Sequence, residues 1–140
     1  MSWQPAAIVY PDIELALTAR YRAALDALAA PHAEGVFVSN RVPSPRRDRM
    51  VIVRRDGGTQ AEMRDRPRVT IRVWAKSETD ANNLAALVMA LAASFVDGSP
   101  IVACPIAGRS GPYPVPDESE QPLRMMTVEF HTRGALVQGV

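Results

Sequence analysis

The sequence predicts an α+β domain, with a mainly antiparallel sheet of about five strands and two helices packed on one face. Two segments with apolar residues at three- and four-residue spacing predict the helices, and runs of alternating or β-branched residues bounded by turn signals predict the strands. The order is helix, three strands, helix, two strands. At 140 residues the chain fits a single domain, and no repeat or low-complexity linker divides it.

The first helix is expected in "YPDIELALTARYRAALDALAAPHAEG". Asp12 is its N-cap, Ile13, Leu17, Tyr21, Leu25 and Leu28 form its apolar stripe, and Pro31 stops it. "GVFVSN" (35–40) reads as a short strand. "RMVIVRRDGG" gives a second strand from Met50 to Arg55, with Asp56-Gly57-Gly58 as its turn. "RPRVTIRVWAKS" sets Val69, Ile71 and Val73 against Thr70, Arg72 and Trp74, the period of a half-buried strand that starts at Pro67.

"SETDANNLAALVMALAASFVDGS" predicts the second helix. Ser77 and Asp80 resemble a capping box, Leu84, Leu87, Val88, Leu91 and Phe95 face inward, and Asp97-Gly98 ends it. "IVAC" then reads as a short strand. Pro112, Pro114 and Pro116 remove alternate N–H donors, which fits an extended or edge strand and excludes a helix. "DESE" (117–120) reads as an exposed loop tip. Met126, Val128 and Phe130 alternate with Thr127, Glu129 and His131 in the closing strand.

Motifs that carry chemistry are missing. His32 and His131 stand far apart with no metal-ligand spacing near them, and "RRDGGTQ" lacks the glycine spacing of a phosphate-binding loop. "GRSGP" has no strand-to-helix context for a nucleophilic serine. Cys104, the single cysteine, reads as a buried apolar thiol and excludes an intramolecular disulfide. We therefore expect no catalytic residues, no metal, no cofactor and no enzyme. No apolar run approaches the ~18 residues of a membrane span, and the N-terminus lacks the basic and apolar regions of a signal peptide.

Charge is the conspicuous feature. The net charge is +1, yet residues 41–72 carry ten arginines against Asp48, Asp56, Glu62 and Asp65, a balance of +6 against −5 elsewhere. Lys76 is the only lysine among 16 basic residues, a bias that a GC-rich coding genome would produce by itself. Between 41 and 72 there is no aromatic residue to stack on a base, which argues against single-strand recognition. One reading is a charged hairpin whose arginines and acids neutralise one another locally. Another is a basic segment that meets a neighbour's acidic surface, a heterologous contact of the kind that closes into rings.

The ordered set "VFVSNRVPSPRRDRMVIVRRDGG", "RPRVTIRVWAKSETDANNLAALVMA" and "GPYPVPDESEQPLRMMTVEFHTRG", behind an early helix, resembles the tail terminator, or tail-completion, proteins of long-tailed bacteriophages. The likeness covers roughly residues 8–134 and includes the Trp74-Ala75 strand-to-helix junction. It implies one tail-terminator-like α+β domain (1–140) in a hexameric ring that caps the tail tube, ends its polymerisation and offers a surface to the head connector. The implied partners are copies of the chain, the tube protein, connector or neck proteins, and genomic DNA that passes without sequence-specific binding. The implied setting is the tail-neck region of the virion, after assembly in the host cytoplasm. Carried onto this sequence, the interface candidates are Arg41, Arg46, Arg47, Arg49, Arg54, Arg55, Asp56, Tyr113, Asp117 and Glu118. Alternatives are another neck subunit or a small nucleic-acid-binding domain.

Overall fold

In the computed structural model, which describes residues 7–61, 64–98 and 100–137, two helices lie on one face of a mixed, mainly antiparallel sheet. The elements are β1 (Ile8–Val9), α1 (Ile13–Ala27), β2 (Phe37–Ser39), β3 (Met50–Ala61), β4 (Arg64–Trp74), α2 (Glu78–Ser94), β5 (Ile101–Ala103), β6 (Arg109–Val115), β7 (Leu123–Glu129), β8 (His131–Arg133) and β9 (Ala135–Leu136). The α+β class and the single helical layer are as expected. Among the described residues the strands number nine rather than five, because the proline stretch pairs as β6, the closing strand breaks at Phe130 and short pairings flank it.

The sheet runs β2-β3-β4-β7-β6; β8 continues along β4 beyond the break and carries β5 on its other side. β2 lies parallel to β3, with Phe37 opposite Met50. Residues 40–49 must therefore cross the end of the sheet rather than turn tightly. β1 and β9 form a separate antiparallel pair.

The Asp56-Gly57-Gly58 turn is not present. β3 runs through these residues, and a bulge between Arg55 and Gly57 absorbs the extra residue. Gly58 has φ +104°, and a Cβ there would lie 2.1 Å from the Arg66 carbonyl oxygen, so only glycine lets the two backbones approach. Pro67 is inside β4, not at its start. Its missing donor faces the β7/β8 break, where its carbonyl accepts from Phe130 N–H at 3.0 Å. β6 is an edge strand, as its prolines require.

Val51, Val53, Val69, Ile71, Val73, Met126 and Val128 form the sheet's side of the core, against Ile13, Leu17, Tyr21 and Leu25 of α1 and Leu84, Ala85, Val88 and Ala92 of α2. The alanines allow α2 to lie close. Tyr21 is fully buried, donates to the Val88 carbonyl at 2.8 Å and meets Phe95 edge to face; burial pushes its phenol up, so it stays a donor. Leu28 and Leu87 were expected in the stripes, yet Leu28 is exposed and Leu87 half-buried.

Both helices begin as the sequence implies. Asp12 accepts from Glu14 and Leu15 N–H, and Ser77 accepts from Asp80 N–H at 3.1 Å. α1 ends at Ala27, before Pro31, which instead opens a 3-10 turn; α2 ends at Ser94, before Asp97-Gly98. No helix among the described residues is long and apolar enough to cross a membrane.

Candidate functional site

The crossing segment 40–49 and the turn after β6 meet over the face of the sheet that carries no helix. Met50, Ile52, Trp74 and Leu123 point to that face and pack with Phe37 and Val115 into a second, small apolar cluster. Arg46 lies over the Trp74 ring, 5.3 Å from its centroid, and Arg47 over Phe37 at 5.4 Å. Their guanidinium planes cover aromatic surface that would otherwise be wet.

Asp117 locks this arrangement. Its carboxylate accepts from Trp74 Nε1 at 3.0 Å, from the Ser119 hydroxyl, and from Arg46 at 3.5 Å. Ser119 first, then Trp74 and Arg46, hold its carboxyl below the usual range, with partial burial opposing them. Gln121 completes the joint: its side-chain nitrogen donates to the carbonyls of Arg47 at 2.9 Å and Asp48 at 3.0 Å, and its oxygen accepts from Arg46. Residues about 70 positions apart thus form one surface. Asp48 and Glu120 stand exposed at its rim, Arg41 and Glu118 are exposed in the same two loops, and Tyr113 of β6 is 41% exposed.

No family model and no curated protein matches the chain. The two loops border a shallow groove of about 450 Å³ lined by Arg46, Asp48, Lys76, Ser119, Glu120 and Gln121. Beside it, below the proline strand, a second groove of about 490 Å³ is floored by Leu123 and Arg124 and edged by Glu78, Pro114 and Pro116. Arg124 is almost fully buried and is held by Asn82 Oδ1 at 2.7 Å, Glu78 and its neighbour's carbonyl. These grooves present charged groups, prolines and fixed hydrogen-bonding groups. Among the described residues no group of three or more His, Cys, Asp or Glu could hold a metal ion, and Cys104 is buried.

The structure divides the ten candidates. Arg46, Arg47 and Asp117 share the joint, and Glu118 is exposed next to Asp117 in the chain. Arg49 turns instead to the helical layer, where Asp80 at the start of α2 accepts at 2.9 and 3.2 Å and the Glu34 carbonyl at 2.8 Å. Arg49 in turn lowers the Asp80 carboxyl. Arg54, Arg55 and Asp56 lie farther along β3. Arg55 is on the helical face, where it grips Asp65 through two bonds of 2.6 and 2.9 Å; Asp65 has no solvent exposure. Asp56 accepts from Arg68 at 2.9 Å and from Thr70. The pairs link separate elements, not neighbours in sequence.

Trp74 was part of the sequence resemblance, but its role as the pivot and the part of Gln121 were not foreseen. Neither carries a local pattern; both depend on register, which sets Trp74 opposite Met50 on one side and Leu123 on the other.

Proposed function

We propose that this chain is a structural virion subunit of the tail-terminator type, which forms a hexameric ring on the end of a phage tail tube. The ring ends tube growth and offers its far side to the head connector, while genomic DNA passes through its bore. The observation that carries this reading is the joint of Arg46, Trp74 and Asp117. The three stretches behind the family resemblance, distant in sequence, converge there on one rigid surface. A preorganised surface loses little entropy when a neighbour docks, which suits a repeated contact around a ring. Exposed apolar side chains elsewhere support subunit contacts: Ile106 is 80% exposed, Leu15 69%, and Val9 and Leu136 more than half, the last two on the β1–β9 ribbon.

Sedimentation velocity over a wide concentration range, with negative-stain imaging of the protein mixed with purified tail tubes, tests the proposal. Six-fold rings and tubes capped at one end are expected. A monomer at every concentration that leaves tube ends bare would overturn it, and binding to connector particles without binding to tubes would assign the chain to another neck position.

A further inference from the structure

Alternate residues of β4 place Arg64, Arg66, Arg68, Thr70, Arg72 and Trp74 on the face opposite the helices. Cross-strand register brings Arg54 beside Thr70 and Arg133 beside Arg64 on the same face. The result is a stripe of six arginines, of which Arg64, Arg66, Arg72 and Arg133 have no side-chain hydrogen bond or ion pair among the described residues. All six are exposed except Arg72, which is half-buried. The acids directly beside the stripe are engaged, Asp56 by Arg68 and Glu129 by His131 at 2.8 Å; the exposed Asp48, Glu118 and Glu120 belong to the loops at the Trp74 end.

We propose that this stripe docks the phosphate backbone of duplex DNA. Arg64 to Arg72 spans about 27 Å of strand, the axial length of about eight base pairs of duplex. Beside Arg64, Arg66 and Arg68 the neighbours on this face are small or polar, Gly57, Thr59, Thr70 and Glu129 among them; Arg72 lies between Ile52 and Met125, and Trp74 beyond it is buried under Arg46, so it offers no open ring to an unpaired base. Protein interfaces bury aromatic and aliphatic anchors at their centre; the centre of this stripe has none. Unpaired guanidinium groups on a rigid strand fit a regular row of phosphates, and they carry no base readout. The proposal rests on the ring reading only for its setting, the DNA in the bore; the contact itself needs no ring.

The test is fluorescence anisotropy of a labelled 20-base-pair duplex against the purified full-length protein, repeated at several salt concentrations, with sedimentation run in parallel. Four unpaired arginines predict a slope of log affinity on log salt of about −3.6, hence about a hundredfold loss between 50 and 200 mM salt. The triple variant Arg64→Gln/Arg66→Gln/Arg72→Gln should bring the slope down to about −0.9. Arg20→Gln/Arg22→Gln, on the helical layer, should leave it unchanged. No duplex binding at 50 mM salt would overturn the proposal, as would equal effects of the two sets of substitutions. So would a triple variant that binds duplex normally but loses self-association, which would make the stripe a protein interface. A monomer that binds the duplex with the expected slope would uphold this proposal while the ring reading fails.

Discussion

Asp117 accepts the indole N–H of Trp74 at 3.0 Å, so a carboxylate in the turn after β6 is fixed to the last residue of β4. The same carboxylate meets Arg46, which lies over the indole ring. Each of the three groups restrains the other two, and a proline-rich edge and an arginine-rich crossing thereby become one object.

Acid should open this joint. Ser119, Trp74 and Arg46 depress the Asp117 carboxyl in the folded chain, so its contribution is present above the unfolded value near pH 3.9 and is lost as pH falls through the lower folded value. In a Trp3→Phe background, where Trp74 is the sole indole, emission should change with a midpoint below about pH 3.9, ahead of any loss of far-ultraviolet circular dichroism. Asp117→Asn should abolish that separate transition. An unaltered emission curve in the variant would show that Asp117 does not govern the indole.

Asp65 should be among the costliest surface-distant charges to remove. It is fully buried, and Arg55, its two-bonded partner, keeps 31% of its side chain exposed. Asp65→Ala should cost about 3 kcal/mol, the low end for breaking a buried pair, because Arg55 retains some hydration. Arg55→Met/Asp65→Leu should recover most of that loss in urea titrations. A double variant as unstable as the single one would mean that Asp65 acts through its backbone neighbourhood and not through the pair.

Two glycines with positive φ should respond differently to alanine. Gly58→Ala meets backbone at 2.1 Å, whereas a Cβ on Gly35, φ +65°, meets nothing within 4 Å. Gly35→Ala should cost about 1 kcal/mol of conformational strain. Gly58→Ala should cost clearly more, about 2–3 kcal/mol, and should shift the amide signals of Arg66 to Arg68. Equal costs would place the bulge outside the cooperative fold.

Leucines on α2 give the matching test of the core. Leu84 has no exposure, so Leu84→Ala should cost about 2–5 kcal/mol, while Leu87→Ala, at a half-buried site, should cost markedly less. Thermal or urea unfolding of both variants decides it; a reversal of the order would mean that α2 is rotated relative to the sheet.

The layers and both helix starts were legible because they follow from period and capping, which are local. Asp12 and Ser77 cap by their own side chains, and Val69, Ile71 and Val73 repeat at two. The long hairpin was missed because Gly57-Gly58 satisfies two local rules, turn and bulge, and only the pairing of Gly58 with Pro67 decides between them. β2 escaped as a parallel strand because direction is a property of the partner. The arginine stripe was present as a period-two pattern in "RDRPRVTIRVW" but was counted as net charge, which hides the face on which each charge falls. The joint at Trp74 has no sequence signal beyond its composition, since Arg46 and Asp117 meet only after the sheet brings its ends together.

Charge reversal at the joint separates fold from assembly. Arg46 and Arg47 are exposed, and such groups contribute only about 0–1 kcal/mol to stability. Arg46→Glu/Arg47→Glu should therefore leave the circular dichroism spectrum and the cooperative unfolding transition in place. It also sets a carboxylate against Asp117 and removes both cations from the aromatic rings, so the shape of the surface should change where a neighbour would dock. On the proposed ring function, self-association and capping of tail tubes should fall at least tenfold, a loss of about 1.4 kcal/mol in binding free energy. Adding Asp117→Arg restores opposite charges at the joint but takes the acceptor from the Trp74 N–H, so only the electrostatic part of that loss should return. Recovery would locate the defect in the joint itself; unaltered association in Arg46→Glu/Arg47→Glu would move the subunit contact away from this end of the sheet.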